Sequence, residues 1–109
     1  GGIVQGLGGA LMEELLYDSS GQLINGSFMD YAMPRAHQMP SINAETIVHA
    51  SSINDLGIKG VGESGAISPG AVIANAVEDA LVDFGITVRE VPVTPLRIFE
   101  MLRNAKMPS

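Results

Sequence analysis

The residue with the clearest chemical potential in this sequence is Glu63, in Gly60-Val61-Gly62-Glu63-Ser64-Gly65. It is a lone carboxylate flanked by Gly62, Ser64 and Gly65 in an apolar, glycine-rich stretch. Burial there would disfavour its charged form and raise its pKa. A carboxylate so placed can act as a general base near neutral pH. The competing reading is a solvated loop glutamate, because most glutamates are exposed. The same six residues match G-x-G-x-x-G ahead of a helix, with Asp83 about 20 residues on, as in the dinucleotide fingerprint. That site needs a buried parallel strand running into the glycines. Asn54-Asp55-Leu56-Gly57-Ile58-Lys59 is no such strand, and Glu63 would face the pyrophosphate. A phosphate loop of the Walker A kind is excluded, since no Gly-Lys-Ser/Thr is present.

Other polar residues offer less. Gln5 stands beside glycines on an otherwise apolar helix, either as a surface group or as a buried hydrogen-bonding one. Lys59 can pair with Glu63 or with a phosphate, or simply be solvated. His37 and His49 read as a loop and a strand histidine. Six scattered Met residues read as core filler. Asp30-Tyr31 suits an anchor for the loop that follows.

These residues must be positioned by a small set of elements. Gly2 to Leu16 has Val4, Leu7, Leu11 and Leu15 at helical spacing. Gly6, Gly8 and Gly9 interrupt it, each costing about 1 kcal/mol relative to Ala. Close approach of a backbone or a ligand is the usual reason. Tyr17-Asp18-Ser19-Ser20-Gly21 is a turn by composition. Gln22–Ile24 and Ser27–Tyr31 are expected to be short strands around Asn25-Gly26, a strong hairpin signal. Met33 to Pro40, with two prolines, is an extended loop. Ile42, Ala44, Thr46 and Val48 predict a strand over Ile42–His49.

Asn54 to Gly70 contains Gly57, Gly60, Gly62, Gly65 and Gly70 and reads as a long functional loop. Ser68-Pro69 opens a helix with Ile73, Val77, Leu81 and Phe84 inward, stopped by Gly85. Asn75, Glu78, Asp79 and Asp83 lie towards its other side. Ile86–Val91 is expected to be a strand. Thr94-Pro95 opens a last helix with Ile98, Phe99 and Leu102 inward, and with Arg103 and Lys106 near its C-terminus. The expected fold is α+β: two or three helices on a small mixed sheet, with the glycine-rich loop at one edge.

Composition sets the outer bounds. The chain has 109 residues, 46% hydrophobic and 17% charged, so it is at most one domain and not disordered. No apolar run reaches the length of a membrane helix. A net charge of −6 opposes nucleic-acid binding. No Cys is present, so disulfides and thiolate metal sites are excluded. The opening Gly1-Gly2-Ile3-Val4-Gln5-Gly6 starts inside an apolar segment, which predicts a piece of a larger protein.

Three motifs carry a resemblance. They are Gly2-Ile3-Val4-Gln5-Gly6-Leu7-Gly8-Gly9-Ala10-Leu11 with Glu13-Glu14, then Phe28-Met29-Asp30-Tyr31-Ala32-Met33-Pro34, then Gly57-Ile58-Lys59-Gly60-Val61-Gly62-Glu63-Ser64-Gly65 with Asn75-Ala76 and Asp79-Ala80 beyond. Val91-Pro92-Val93-Thr94-Pro95 adds a closing segment. In this order they resemble the C-terminal stretch of the molybdenum-binding large subunit of the xanthine oxidase family. That family includes xanthine dehydrogenases, aldehyde oxidoreductases and aerobic carbon monoxide dehydrogenases.

The resemblance implies that the whole of residues 1–109 is the C-terminal part of a molybdenum-cofactor-binding domain. It implies a hydroxylation of an aldehyde, an N-heterocycle or a similar carbon, with water as oxygen source. Glu63 would be the general base, taking a proton from a metal-bound hydroxyl. Gln5 would hydrogen-bond the pterin, and Lys59, Gly60, Gly62 and Ser64 would lie against the cofactor. No residue here is implied as a metal ligand. Ser64-Gly65 implies the cytosine dinucleotide form of molybdopterin. Electrons would leave through iron–sulfur clusters to FAD on partner domains or subunits, since iron–sulfur ligation needs Cys. The rest of the large subunit and a small-molecule substrate are the other partners, and the chain alone would be inactive. The implied location is the cytoplasm, or the periplasm. A dinucleotide-binding module using Gly60, Gly62 and Gly65, and a non-catalytic interaction module, stay open beside this reading.

Overall fold

The computed structural model describes residues 1–105. Three α-helices organise them: α1 (Gly2–Leu11), α2 (Pro69–Ala80) and α3 (Pro95–Asn104). Single 3₁₀ turns occur at Ala36–Gln38, Ser64–Ala66 and Val82–Phe84. The expected mixed sheet is absent among the described residues. The single β pairing is an isolated antiparallel bridge between Tyr17 and Leu23. The fold is therefore three helices joined by long irregular segments, not α+β.

α1 is shorter than its apolar spacing suggests. The amides of Met12 and Glu13 both turn back to the Gly8 carbonyl, at 2.9 Å each, and end the helix there. Leu15 then lies outside the helix and is exposed. The glycines of α1 are explained by packing. A Cβ on Gly6 would stand 2.6 Å from Pro69 Cγ, and one on Gly2 would stand 3.2 Å from the Gly65 nitrogen. α1 and the start of α2 thus approach at backbone distance, which only glycine permits.

The turn at Tyr17–Gly21 forms as composition predicts. Its Asp18 carboxylate accepts from the Ser20 hydroxyl (2.7 Å), the Ser20 amide (2.8 Å) and the Gln22 amide (3.0 Å). Gly21 completes it at φ +83. The hairpin around this turn pairs the Ile24 amide with the Leu16 carbonyl and the Asp18 amide with the Gln22 carbonyl. The hairpin expected around Asn25-Gly26 does not form, and neither Gln22–Ile24 nor Ser27–Tyr31 is a strand. Asn25 is instead buried, with its side chain spent on the main chain: Oδ1 accepts the Leu16 amide (2.8 Å) and Nδ2 donates to the Glu14 carbonyl (2.6 Å).

Ile42–His49 and Ile86–Val91 also form no strands. Both carry strand-like residues, but a strand needs a partner ladder, and none lies within the described residues. The structure holds the start of Ile86–Val91 by other contacts. The Val88 amide donates to the Glu78 carboxylate at 2.7 Å, and Ile86 is buried.

α2 begins at Pro69 as expected, although Ser68 makes no side-chain cap bond. It ends through the Val82–Phe84 turn into Gly85 at φ +65. α3 is capped as expected, with Thr94 Oγ1 accepting the Arg97 amide at 3.3 Å. Phe99, expected inward, is 59% exposed. Lys106 lies outside the described residues.

The C-terminal part returns to the end of α1. The Val93 amide donates to the Ala10 carbonyl at 2.7 Å, and Arg97 pairs with Glu14 at 2.5 Å. Ala10, Pro69, Ile86 and Val93 are the buried apolar side chains among the described residues. The radius of gyration is 18.1 Å, against about 13 Å for a compact 100-residue domain. Many large apolar side chains, Phe28, Met29, Ile47, Ile53 and Leu56 among them, face outward.

Candidate cofactor-facing site

The loop that carries Glu63 is built by its own backbone. The Val61 carbonyl accepts the Ser64 amide (3.2 Å) and the Ser64 hydroxyl (2.9 Å). The Glu63 carbonyl accepts the Ala66 amide at 2.9 Å and so caps the Ser64–Ala66 turn. Upstream, Asn54 braces the approach. Its Oδ1 accepts the Ile58 amide (2.9 Å) and its Nδ2 donates to the Ile58 carbonyl (3.0 Å). Gly57, at φ +64, makes the bend between them.

The loop is seated on the first turn of α1. A Cβ on Gly65 would stand 2.7 Å from the Ile3 nitrogen, and one on Gly2 would stand 3.4 Å from the Gly62 carbonyl. Glu63 lies between these two contact points. Gln5 is one turn further along α1, its amide bonded to the Gly1 carbonyl at 3.0 Å. The first turn of α1, ahead of Gln5, and the Gly62–Gly65 loop are therefore brought together.

The side chains are placed less tightly. Glu63, Gln5, Lys59 and Ser64 are all exposed. The burial that a sequence reading asks of Glu63 is not supplied by these residues. Lys59 and Glu63 form no ion pair; the ion pairs among the described residues are those of Arg97 with Glu14 and Glu90. Ser64 serves as a brace of the turn. An apolar groove of about 340 Å³ lies beside the loop, lined by Ile3, Leu7, Gly65, Pro69, Val72 and Ile73, and a larger one of about 850 Å³ lies between Phe84–Glu90 and α3. Neither is lined by Glu63 or Gln5.

Two kinds of glycine occur around the loop. Gly2, Gly6 and Gly65 are filled by neighbouring atoms. Gly60 and Gly62, together with Gly1 and Gly9 on the Gln5 stripe of α1, have nothing within 4 Å of a Cβ position. Gly60 and Gly62 have negative φ. Neither their backbone nor their neighbours in this chain require glycine. Bare, open backbone on both elements is what a bulky planar group needs for close approach, so these residues fit a pterin.

Residues 1–40 match the family model described as "Molybdopterin cofactor-binding domain". The chain is 49% identical over 91% of its length to 6-hydroxypseudooxynicotine dehydrogenase complex subunit gamma of Paenarthrobacter nicotinovorans. It is 44% identical over 90% of its length to the nicotine 6-hydroxylase large subunit of the same organism. The chain belongs to the xanthine oxidase family, as a stretch of its molybdenum-binding large subunit. The crystal structure of quinoline 2-oxidoreductase from Pseudomonas putida 86 superposes with a TM-score of 0.85 at 39% identity, over 96% of this chain and 13% of that one. The chain spans 12% of the length of the two Paenarthrobacter relatives. Xanthine oxidase family membership explains the sparse core, since seven-eighths of such a subunit lies outside this stretch.

Three residues with structural duties were missed by sequence reasoning. The sequence places Asn25 in a turn and Glu78 on an outer helix face, and it marks no role for Arg97. Each acts through a contact far along the chain, and nothing local announces it.

Proposed function

We propose that this chain forms part of the cofactor pocket of a molybdenum hydroxylase, with Glu63 as the general base. The observation that carries this reading is the seating of the Glu63 loop on the glycine-faced first turns of α1. That contact seats the loop residue Glu63, which lies between Gly62 and Gly65, on the first turn of α1. The molybdopterin group, when bound, supplies the two-electron oxidation of the substrate carbon. Gly60 and Gly62 admit it closely, and the Gln5 side-chain amide is available to hydrogen-bond its pterin edge. Lys59 offers a cation to its phosphate, and Ser64 holds the turn that aims Glu63. A Glu63 carboxylate oxygen accepts the proton of the water that becomes the product hydroxyl. A positioned base of this kind contributes about 10² to 10⁴ in rate.

The substrate class we carry forward is an N-heterocycle. Relatives named for nicotine and quinoline stand at 44% and 39% identity, against 30–35% for those named for carbon monoxide, xanthine and aldehyde oxidation. The remaining large subunit and electron-accepting iron–sulfur and FAD partners complete the enzyme, with the cytosine dinucleotide form of the cofactor and a cytoplasmic location. A dinucleotide module finds no support, since no strand precedes Gly60 and α2 starts only at Pro69. An interaction module draws on the exposure of Glu63 and of the apolar surface.

Elemental and flavin analysis of the intact enzyme, purified with its partner chains, tests the reading. Stoichiometric molybdenum with iron and flavin is expected. A complete preparation without molybdenum would leave Glu63 an ordinary loop carboxylate.

A further inference from the structure

The span Lys59–Val61 is strung between two anchors. Downstream, the Gly62 carbonyl and Gly65 rest on the first turn of α1. Upstream, the anchor is the side chain of Asn54. Its Oδ1 accepts the Ile58 amide at 2.9 Å, and its Nδ2 donates to the Ile58 carbonyl at 3.0 Å. Between the anchors, the amides of Lys59, Gly60 and Val61 find no acceptor among the described residues. Gly60, in the middle, has open space where a Cβ would stand. A span so built has little stiffness of its own, and its ends set its path.

The clamp needs asparagine. One donor and one acceptor must meet both main-chain groups of a single residue four positions on. An aspartate accepts but cannot donate, and an alanine does neither. Asn54 is itself held in place. Its carbonyl accepts the Gly57 amide at 3.1 Å, and the Gly57 carbonyl accepts the Ser51 amide at 3.1 Å. Gly57 takes φ +64, and a Cβ on it would stand 2.9 Å from the Ala50 Cβ. The anchor is therefore a closed turn over residues 50–58, built from within this chain.

We propose that Asn54 is a positioning residue. Acting through Ile58, it fixes the upstream end of the Lys59–Val61 span, so that the open Gly60 backbone and the Glu63 loop meet the cofactor in one arrangement. It rests on the cofactor-facing role proposed for this loop. A shift of about 1 Å in a site element, caused by a residue away from the chemistry, can cost about 10² in rate. Asn54 is exposed and its side-chain bonds reach only Ile58, so its loss leaves the packing of α1 on α2 untouched.

Asn54→Ala and Asn54→Asp in the intact enzyme, purified with its partner chains, test the proposal. In Asn54→Ala the Ile58 amide should exchange with solvent at least about tenfold faster than in the parent. Molybdenum retained after extended dialysis should fall at least about threefold, the scale of one net hydrogen bond. The melting temperature of the cofactor-free subunit should stay within about 2 °C of the parent. Asn54→Asp keeps the acceptor for the Ile58 amide and should retain an intermediate amount of molybdenum. Full molybdenum in Asn54→Ala, an unmoved Ile58 exchange rate, an Asp variant no better than the Ala variant, or molybdenum lost only in step with a lowered melting temperature would each overturn it. A parent enzyme free of molybdenum would remove the proposed function as well, whereas a loaded parent with an equally loaded Asn54→Ala would remove the role of Asn54 alone.

Discussion

Gly65 and Ile3 meet backbone to backbone, with 2.7 Å between the Ile3 nitrogen and the place a Gly65 Cβ would take. This contact seats the Glu63 loop on α1. Gly65→Ala should force the two apart and destabilise the intact subunit by about 1–3 kcal/mol, as overpacking does. Gly60→Ala is the contrast, since Gly60 has open space and negative φ. It should leave unfolding of the cofactor-free subunit within about 0.5 kcal/mol of the parent, yet lower the molybdenum retained. Thermal unfolding and metal analysis of both variants check this. Equal effects on cofactor-free stability would contradict the division between filled and open glycines.

Asn25 ties the hairpin to the chain just after α1 through two hydrogen bonds of a buried side chain. Asn25→Ala leaves the Leu16 amide and the Glu14 carbonyl without partners. A loss of about 2 kcal/mol is expected in unfolding of the intact subunit, within the range for unsatisfied buried groups. Asn25→Asp should also destabilise, because a carboxylate cannot donate to Glu14. A neutral Asn25→Asp would show that the donated bond is unimportant.

The Ser20 hydroxyl, then the Gln22 and Ser20 amides, hold the Asp18 carboxyl below its ordinary range. A depressed folded value means that the turn gains from Asp18 above the unfolded pKa, about 3.9. That gain is lost as pH falls through the lower, folded value. In a peptide of residues 14–26, the Ser20 and Gln22 amide shifts should follow one titration below the ordinary range. Ser20→Ala should raise its midpoint, and an unmoved midpoint would remove Ser20 as the main cause.

Arg97 and Glu14 connect α3 to the chain just after α1, with both side chains about a third exposed. A double-mutant cycle with Arg97→Met and Glu14→Gln should give a coupling of about 0.5–1 kcal/mol, shrinking in high salt. A coupling of zero would assign the return of α3 to Val93 and Ala10 alone.

The local devices of this fold are legible in the sequence. Thr94-Pro95 and Ser68-Pro69 announce helix starts, Gly85 announces a stop, and Asp18 to Gly21 announces a turn. Each needs only a few neighbouring residues. Asn25-Gly26 misleads because the same side chain that favours a turn also satisfies distant main-chain groups. Ile42–His49 and Ile86–Val91 mislead for another reason: alternation describes the faces of a strand but does not provide its partner. Phe99 was placed inward by helical spacing, yet the surface it would cover is not within these residues. Of the candidate site, the Glu63 loop and the α1 glycines were readable from their motifs. That Gly2, Gly6 and Gly65 serve packing while Gly60 and Gly62 stay open could be learned only from the structure.

The central claim is that Glu63 is the base of a molybdenum hydroxylase. Gln5→Ala frames it: if Gln5 hydrogen-bonds the pterin as proposed, the variant should retain less cofactor or turn over moderately more slowly. The decisive measurement is turnover per bound molybdenum in the intact Glu63→Gln enzyme. The account predicts normal molybdenum content with turnover reduced by about 10² to 10⁴ or more. Near-normal turnover at full metal content would contradict it.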